Sequence, residues 1–313
     1  MASNAINPSF IDTREAAGSC PACLYRLPRL VECAPSYFND GHIICKHCGA
    51  KTDLWQAALS HAVALSPTGW ALASLGAAQT SIVLPMESGK VYEVKLTDHG
   101  APADAKILST NYTGQTGNLT AIEWHGNSPP RRVVGTVLHL LAVPFGDGPL
   151  PHEGRVAITV VWIRGDESPA WPYLVTAFEA AAARDYAPSL VFAQCAIEIS
   201  MMPLIEDRFR RHASAERVKN FMRGALTYGY ALNVVLPYLC AELHVPKMPD
   251  VVRGSLNKMR ERRNDVIHEG TKAATVTSQD AIEGLCAAAF GFEYMRHIGP
   301  SLLSDSVSGL ETQ

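Results

Sequence analysis

The sequence predicts a multidomain α+β protein. It has a cysteine-organised N-terminal segment (1–54), a central antiparallel β-sandwich-like domain (55–167), a C-terminal all-α bundle (168–303) and a flexible tail (304–313). Three observations predict this. Two Cys-x-x-Cys pairs lie within the first fifty residues, short alternating apolar runs fill the middle, and apolar residues at helical spacing fill the last third. At 313 residues the chain exceeds one typical domain, and 47% hydrophobic residues leave ample core for several. The formal net charge of -3 excludes a uniformly basic nucleic-acid binder, so any such surface has to be local.

The N-terminal segment is organised by Cys20-Pro21-Ala22-Cys23 and Cys45-Lys46-His47-Cys48-Gly49, with 21 residues between the pairs. Each pair can fold as a knuckle that turns two thiolates to one side of an ion, and two knuckles complete a closed four-sulfur shell. Pro21 suits the first turn, and Gly49 supplies the positive φ that follows the second. A redox dithiol or a disulfide pair is the competing reading, but a redox Cys-x-x-Cys belongs in a βαβ setting that the neighbouring sequence lacks. Residues 18 to 52 resemble a zinc ribbon. That resemblance implies a structural zinc on Cys20, Cys23, Cys45 and Cys48, with no coordination position left for catalysis. Cys33 and His47 fit no ligand pattern and are read as loop or packing residues. This cysteine usage favours a reducing compartment, and residues 1–13 lack both a basic start and an apolar stretch, so a cytoplasmic protein without a secretory signal is expected.

In the middle region, strands are expected at 81–84, 90–96, 105–108, 118–124, 133–143 and 155–163, punctuated by Glu87-Ser88-Gly89, Gly114 to Gly117, Gly126 to Pro130 and Gly146 to Pro149. Trp124 and Trp162 are read as core, and His125, His139 and His152 show no ligand spacing. Beyond it, helices are expected at 168–185, 188–212, 215–243, 250–269 and 278–298, the last opened by a capping box at Thr277-Ser278-Gln279-Asp280. From Gly224 to Ala241 no residue is charged, which approaches membrane-spanning length. Asn233, Pro237 and the tyrosines Tyr228, Tyr230 and Tyr238 within it favour a buried core helix, with the tyrosines packed inside and no membrane partner.

The helix 250–269 carries the chemistry. Val252, Leu256, Met259, Arg263 and Val266 step by three or four residues, so Arg263 falls on the stripe meant for burial. An arginine there requires a carboxylate, a subunit interface or an anion. His268 follows five residues later, about 140° round an ideal helix, in the last turn where the backbone dipole favours its protonated form. From Lys247 to Arg263 six basic residues (Lys247, Arg253, Lys258, Arg260, Arg262, Arg263) face two acidic ones (Asp250, Glu261), a local net charge of +4.

The motif Arg263-Asn264-x-x-x-His268 in this helical setting resembles the HEPN superfamily, over roughly residues 168 to 303. Glu198 matches, by placement on an earlier helix, the acidic residue that faces the site in such domains. The resemblance implies a metal-independent endoribonuclease acting as a homodimer on RNA. Arg263 would stabilise the developing phosphorane charge, His268 would transfer a proton and Asn264 would orient the phosphate or the ring. Lys258, Arg260 and Arg262 would contact the RNA backbone. It further implies a toxin or antiphage effector, with the zinc ribbon or β domain meeting a protein partner or trigger. Two other readings stay open: a non-catalytic zinc-ribbon scaffold, and a nucleotide-binding regulator.

Overall fold

The computed structural model describes residues 17–64, 75–123, 136–145, 152–164, 168–269 and 275–303. Trp124, His125, Gly270 and the tail at 304–313 lie outside the described residues. The protein is mixed α and β, with antiparallel sheets and a helical C-terminal region. It divides into two compact units: Ala77–Glu167, and Met1–Gly76 together with Ser168–Gln313. The cysteine-bearing segment is therefore part of the helical unit, and the β unit begins at Ala77 rather than at 55.

Among the described residues the β unit holds six strands; the third runs through Gly114 to Thr116, beyond the expected 105–108, so the turn read at Gly114 to Gly117 begins only at Gly117. β3 (Ala78–Glu87), β8 (Glu153–Ile163) and β5 (Lys106–Thr116) form one antiparallel sheet in the order β3-β8-β5. β4 (Val91–Lys95), β7 (Val137–Pro144) and β6 (Leu119–Glu123) form the second, in the order β4-β7-β6. Period-two alternation turns Val156, Ile158 and Val160 of β8 and Leu138, Leu140 and Ala142 of β7 into one shared core. β5 turns into β6 through Gly117 and Asn118, at φ 76° and 49°. A Cβ on Gly117 would stand 1.9 Å from the Glu153 carbonyl oxygen, so this position admits only glycine. Trp162, read as core, is half-buried and donates its indole N–H to Thr80 Oγ1 (2.9 Å).

In the other unit, α1 (Leu30–Asp40), the short hairpin β1 (Ile43–Ile44) and β2 (Lys51–Thr52), and α2 (Leu54–Ala64) precede α3 (Trp171–Ala182), α4 (Tyr186–Arg210) and α5 (Ala215–Gly224). A helix over 228–242 (α6) contains a π turn at Ala231–Val235, and α7 (Asp250–Glu269) and α8 (Ser278–Leu303) follow. The helix expected over 215–243 is broken, because Leu226 and Thr227 leave helical geometry and the Thr227 hydroxyl caps a new start by accepting from Tyr230 N–H (3.3 Å).

α8 is the hub. Its small residues admit neighbours closely: a Cβ on Gly284 would meet Leu190 at 2.5 Å, and one on Gly291 would meet Ile197 at 3.0 Å, both on α4. Its aromatic residues anchor the N-terminal segment. Tyr37 and Trp55 stand edge-on to Phe290 (5.7 and 5.3 Å between centroids), and Phe38 to Tyr294 (5.2 Å). The capping box forms as expected, with Asp280 N–H donating to Thr277 Oγ1 and Thr277 N–H to Asp280 Oδ2, each at 3.1 Å. By length and composition α4 is apolar enough to cross a membrane. Within this unit its apolar residues Leu190, Ala193, Ile197, Met201 and Ile205 are buried.

Candidate functional site

The first site is built by two knuckles of matching backbone pattern. In one, Cys20 N–H donates to Tyr25 O (2.9 Å) and Leu24 N–H to Cys20 O (2.8 Å); in the other, Cys45 N–H donates to Ala50 O (2.9 Å) and Gly49 N–H to Cys45 O (2.8 Å). Both turns close on a left-handed residue, Leu24 at φ 58° and Gly49 at φ 73°. Gly49 takes that conformation freely, whereas Leu24 takes it at a cost of roughly 1 kcal/mol.

The four Sγ atoms lie within 4.8 Å of one another, with Cys20–Cys48 and Cys23–Cys45 each at 3.7 Å. A tetrahedral ion with metal–sulfur bonds of about 2.3 Å separates its ligands by about 3.8 Å, whereas a disulfide needs about 2.05 Å. All eight cysteines are free thiols, and the quartet has the spacing of a metal shell. The Thr52 hydroxyl, buried, donates to Cys20 Sγ (3.7 Å). Burial alone would raise the Cys20 thiol, but hydrogen bonds from Thr52 and from the backbone of Ala22 and Cys23 outweigh it and bring it down to about 6. Cys33 is a packing residue, its thiol donating to Arg29 O (3.1 Å) and pushed up to about 12 by burial. His47 stacks on Tyr25 at 4.8 Å and 9°.

The second site lies where α4, α6 and α7 meet. On α7 the stripe Val252, Leu256 and Met259 is buried and continues into the half-buried Arg263. Arg263 Nη1 donates to Asn264 Oδ1 (3.1 Å), its Nε is buried without a partner, and it makes no ion pair among the described residues. Glu198 on α4 accepts from Gln194 Nε2 (2.7 Å). Burial raises the Cys195 thiol; Glu198 raises it further and Arg263 opposes this. His268 is exposed in the last turn, about 7.5 Å further along the helix axis.

The three basic residues expected to contact RNA separate. Lys258 pairs with Glu283 (2.8 Å) and Arg262 approaches Asp280 (3.6 Å), both at the start of α8. Arg260 turns to the opposite side, against Gly229. Tyr228 is buried as expected, while Tyr230 and Tyr238, expected in the core, are 48% and 65% exposed. Both are on the exposed side of α6, which is tied to α7 by reciprocal Asn233–Asn257 hydrogen bonds of 2.9 Å. Sequence reasoning missed Gln194, Tyr228 and Gly229 as site residues. The signal available was Thr227-Tyr228-Gly229, a capping residue followed by glycine inside an apolar run. Comparison with protein-family models, with curated proteins and with solved structures returned no match.

Proposed function

We propose that this protein is a metal-independent endoribonuclease of HEPN type, acting as a cytoplasmic homodimer, with a zinc-ribbon-like segment whose ion is structural. The observation that carries the reading is the state of Arg263. It is a half-buried arginine at the end of a helix's buried stripe, with its Nε unpartnered and in no ion pair among the described residues, and an exposed histidine follows five residues on. A buried arginine held only for stability is ordinarily paired; one held for an anionic ligand keeps donors available.

In the proposed reaction an RNA 2′-hydroxyl attacks the adjacent phosphorus as the bond from phosphorus to the 5′-oxygen breaks. The products are a 2′,3′-cyclic phosphate and a 5′-hydroxyl. Arg263 stabilises the charge on the phosphorane oxygens, and Asn264 holds the guanidinium in position through its side-chain oxygen. His268 delivers or accepts the proton. Zinc fits the four-thiolate quartet because it favours tetrahedral sulfur ligation, and a closed shell leaves it no catalytic role.

Purified wild type is expected to cleave single-stranded RNA and leave DNA intact. Arg263→Ala should lower kcat by about 10²–10³ and His268→Ala by about 10²–10⁴. If RNA stays equally intact with all three proteins, or is cut equally by all three, the nuclease reading is wrong. A scaffold reading is favoured by one observation, the uncharged exposed row Tyr230, Val234 and Tyr238 on α6. It predicts partner binding that survives Arg263→Ala.

A further inference from the structure

Arg260, Tyr228 and Gln194 take no part in the reaction just described, yet they show the same unmet hydrogen bonding as Arg263. Among the described residues six buried side-chain polar atoms lack a partner, and four of them (Gln194 Oε1, Tyr228 OH, Arg260 Nε and Arg263 Nε) belong to α4, α6 and α7; the Arg260 guanidinium lies against Gly229, the neighbour of Tyr228. Folded proteins pair nearly all such atoms, so four together point to hydrogen bonds made outside the chain. Gln194 and Tyr228 are only 3% and 7% exposed, which makes their polar atoms part of a built site and not of a solvated surface.

The backbone makes room for this arrangement. A Cβ on Gly229 would stand 1.9 Å from Arg260 Nη1, so the guanidinium lies against the bare face of this glycine and would have to move aside for an alanine. Among the described residues its one ion pair is a 3.8 Å approach to Glu261, whose side chain is 69% exposed. The hydrogen-bond inventory favours an oxyanion. Both Nε atoms only donate, and the Tyr228 hydroxyl keeps its proton because burial raises it, with Glu198 adding to the effect and Arg260 opposing it. Gln194 Oε1 is the one pure acceptor, suited to a hydroxyl.

We propose that Arg260, Tyr228 and Gln194 join Arg263 in a phosphate-recognition site that holds a phosphoryl group of the RNA strand, with Gln194 receiving a hydroxyl of the ligand. The identity of the ligand as RNA rests on the ribonuclease reading; the binding of a phosphoryl oxyanion does not. On this arrangement the strand is gripped on the α6 side of α7, and the Lys258–Arg262 side stays closed by Glu283 and Asp280.

The test uses the full chain and two probes: inorganic phosphate, and a short RNA carrying 2′-fluoro groups so that it cannot be cut. Binding is measured for wild type, Tyr228→Phe, Arg260→Gln and Gly229→Ala. Each variant is expected to bind both probes about 10- to 100-fold more weakly, the range for loss of a hydrogen bond to a charged group. Without either probe, Tyr228→Phe should unfold at the wild-type temperature or above it, because its hydroxyl has no partner within the chain. That control separates a lost ligand contact from a damaged fold. The site is refuted if phosphate does not bind, if Tyr228→Phe and Arg260→Gln bind it as wild type does, or if Tyr228→Phe is markedly less stable. Phosphate binding lost in the variants, with no RNA cleavage by wild type, keeps the site and removes the nuclease. Cleavage with unchanged KM in the variants does the reverse.

Discussion

Truncation of Phe290 tests whether the four-cysteine segment is structurally dependent on the helical unit. Phe290 is fully buried and receives the edges of Tyr37 from α1 and Trp55 from α2, the two helices that flank the second knuckle. Phe290→Ala should cost about 3–5 kcal/mol, of which each aromatic pair accounts for about 0.5–1.5 kcal/mol. Phe292 is the matched control. It is equally buried on the same helix but packs on Trp171 (5.3 Å), with the Arg296 guanidinium 5.7 Å from its ring centre. Its truncation should cost a similar amount by the same mechanism. The two variants therefore differ in which neighbour they release, not in how much stability they lose. Urea unfolding gives the stability loss, and release of the bound ion to a chelator in native buffer reports on the quartet. Phe290→Ala is expected to speed ion release at least tenfold and Phe292→Ala to leave it near the wild-type rate. Equal release rates in the two variants would mean that the knuckles stand as an independent module, and the reasoning from α1, α2 and α8 packing would be wrong. Should Phe290→Ala fail to fold, Phe290→Leu removes the same ring edges at a smaller cost.

Two further outcomes are expected. Thr52→Val keeps the shape of a buried residue but removes the donor to Cys20 Sγ, so affinity for the ion should fall by about 10-fold with little change in fold, measured by chelator competition; unchanged affinity would show that this hydroxyl does not tune the shell. At Asp280, burial opposes ionisation, but the Thr277 hydroxyl and N–H, then Arg262 and Lys258, outweigh it and hold the carboxyl below its ordinary 3.8. A depressed carboxylate contributes stability that is complete above its unfolded pKa and is lost as pH falls through the folded value. The thermal-stability gap between wild type and Asp280→Ala should therefore be full at neutral pH, about 1 kcal/mol for the cap, and shrink below about pH 4. A gap that widens on acidification would contradict the assignment.

Short-range patterns were legible in the sequence because their physics is local. The spacing within Cys20–Cys23 and Cys45–Cys48 dictates a knuckle wherever the chain goes, and Thr277 and Asp280 satisfy each other's N–H groups within one helical turn. The apolar run 155–163 marked a strand without reference to any partner, and β8 spans Glu153–Ile163. The limits of α7, Asp250–Glu269, also followed from its own residues.

What depends on a distant partner was decided only by the tertiary structure. Arg260 and Arg262 look alike in sequence, but two positions on a helix point about 200° apart, so one meets Gly229 of α6 and the other meets Asp280 of α8. The cysteine segment read as a separate domain, yet Tyr37 and Trp55 bury against Phe290, more than 230 residues away in the chain. Residue type and spacing determine which way a side chain leaves its own element; what it meets there depends on how the elements pack, and that packing decides whether a charge is neutralised or kept available.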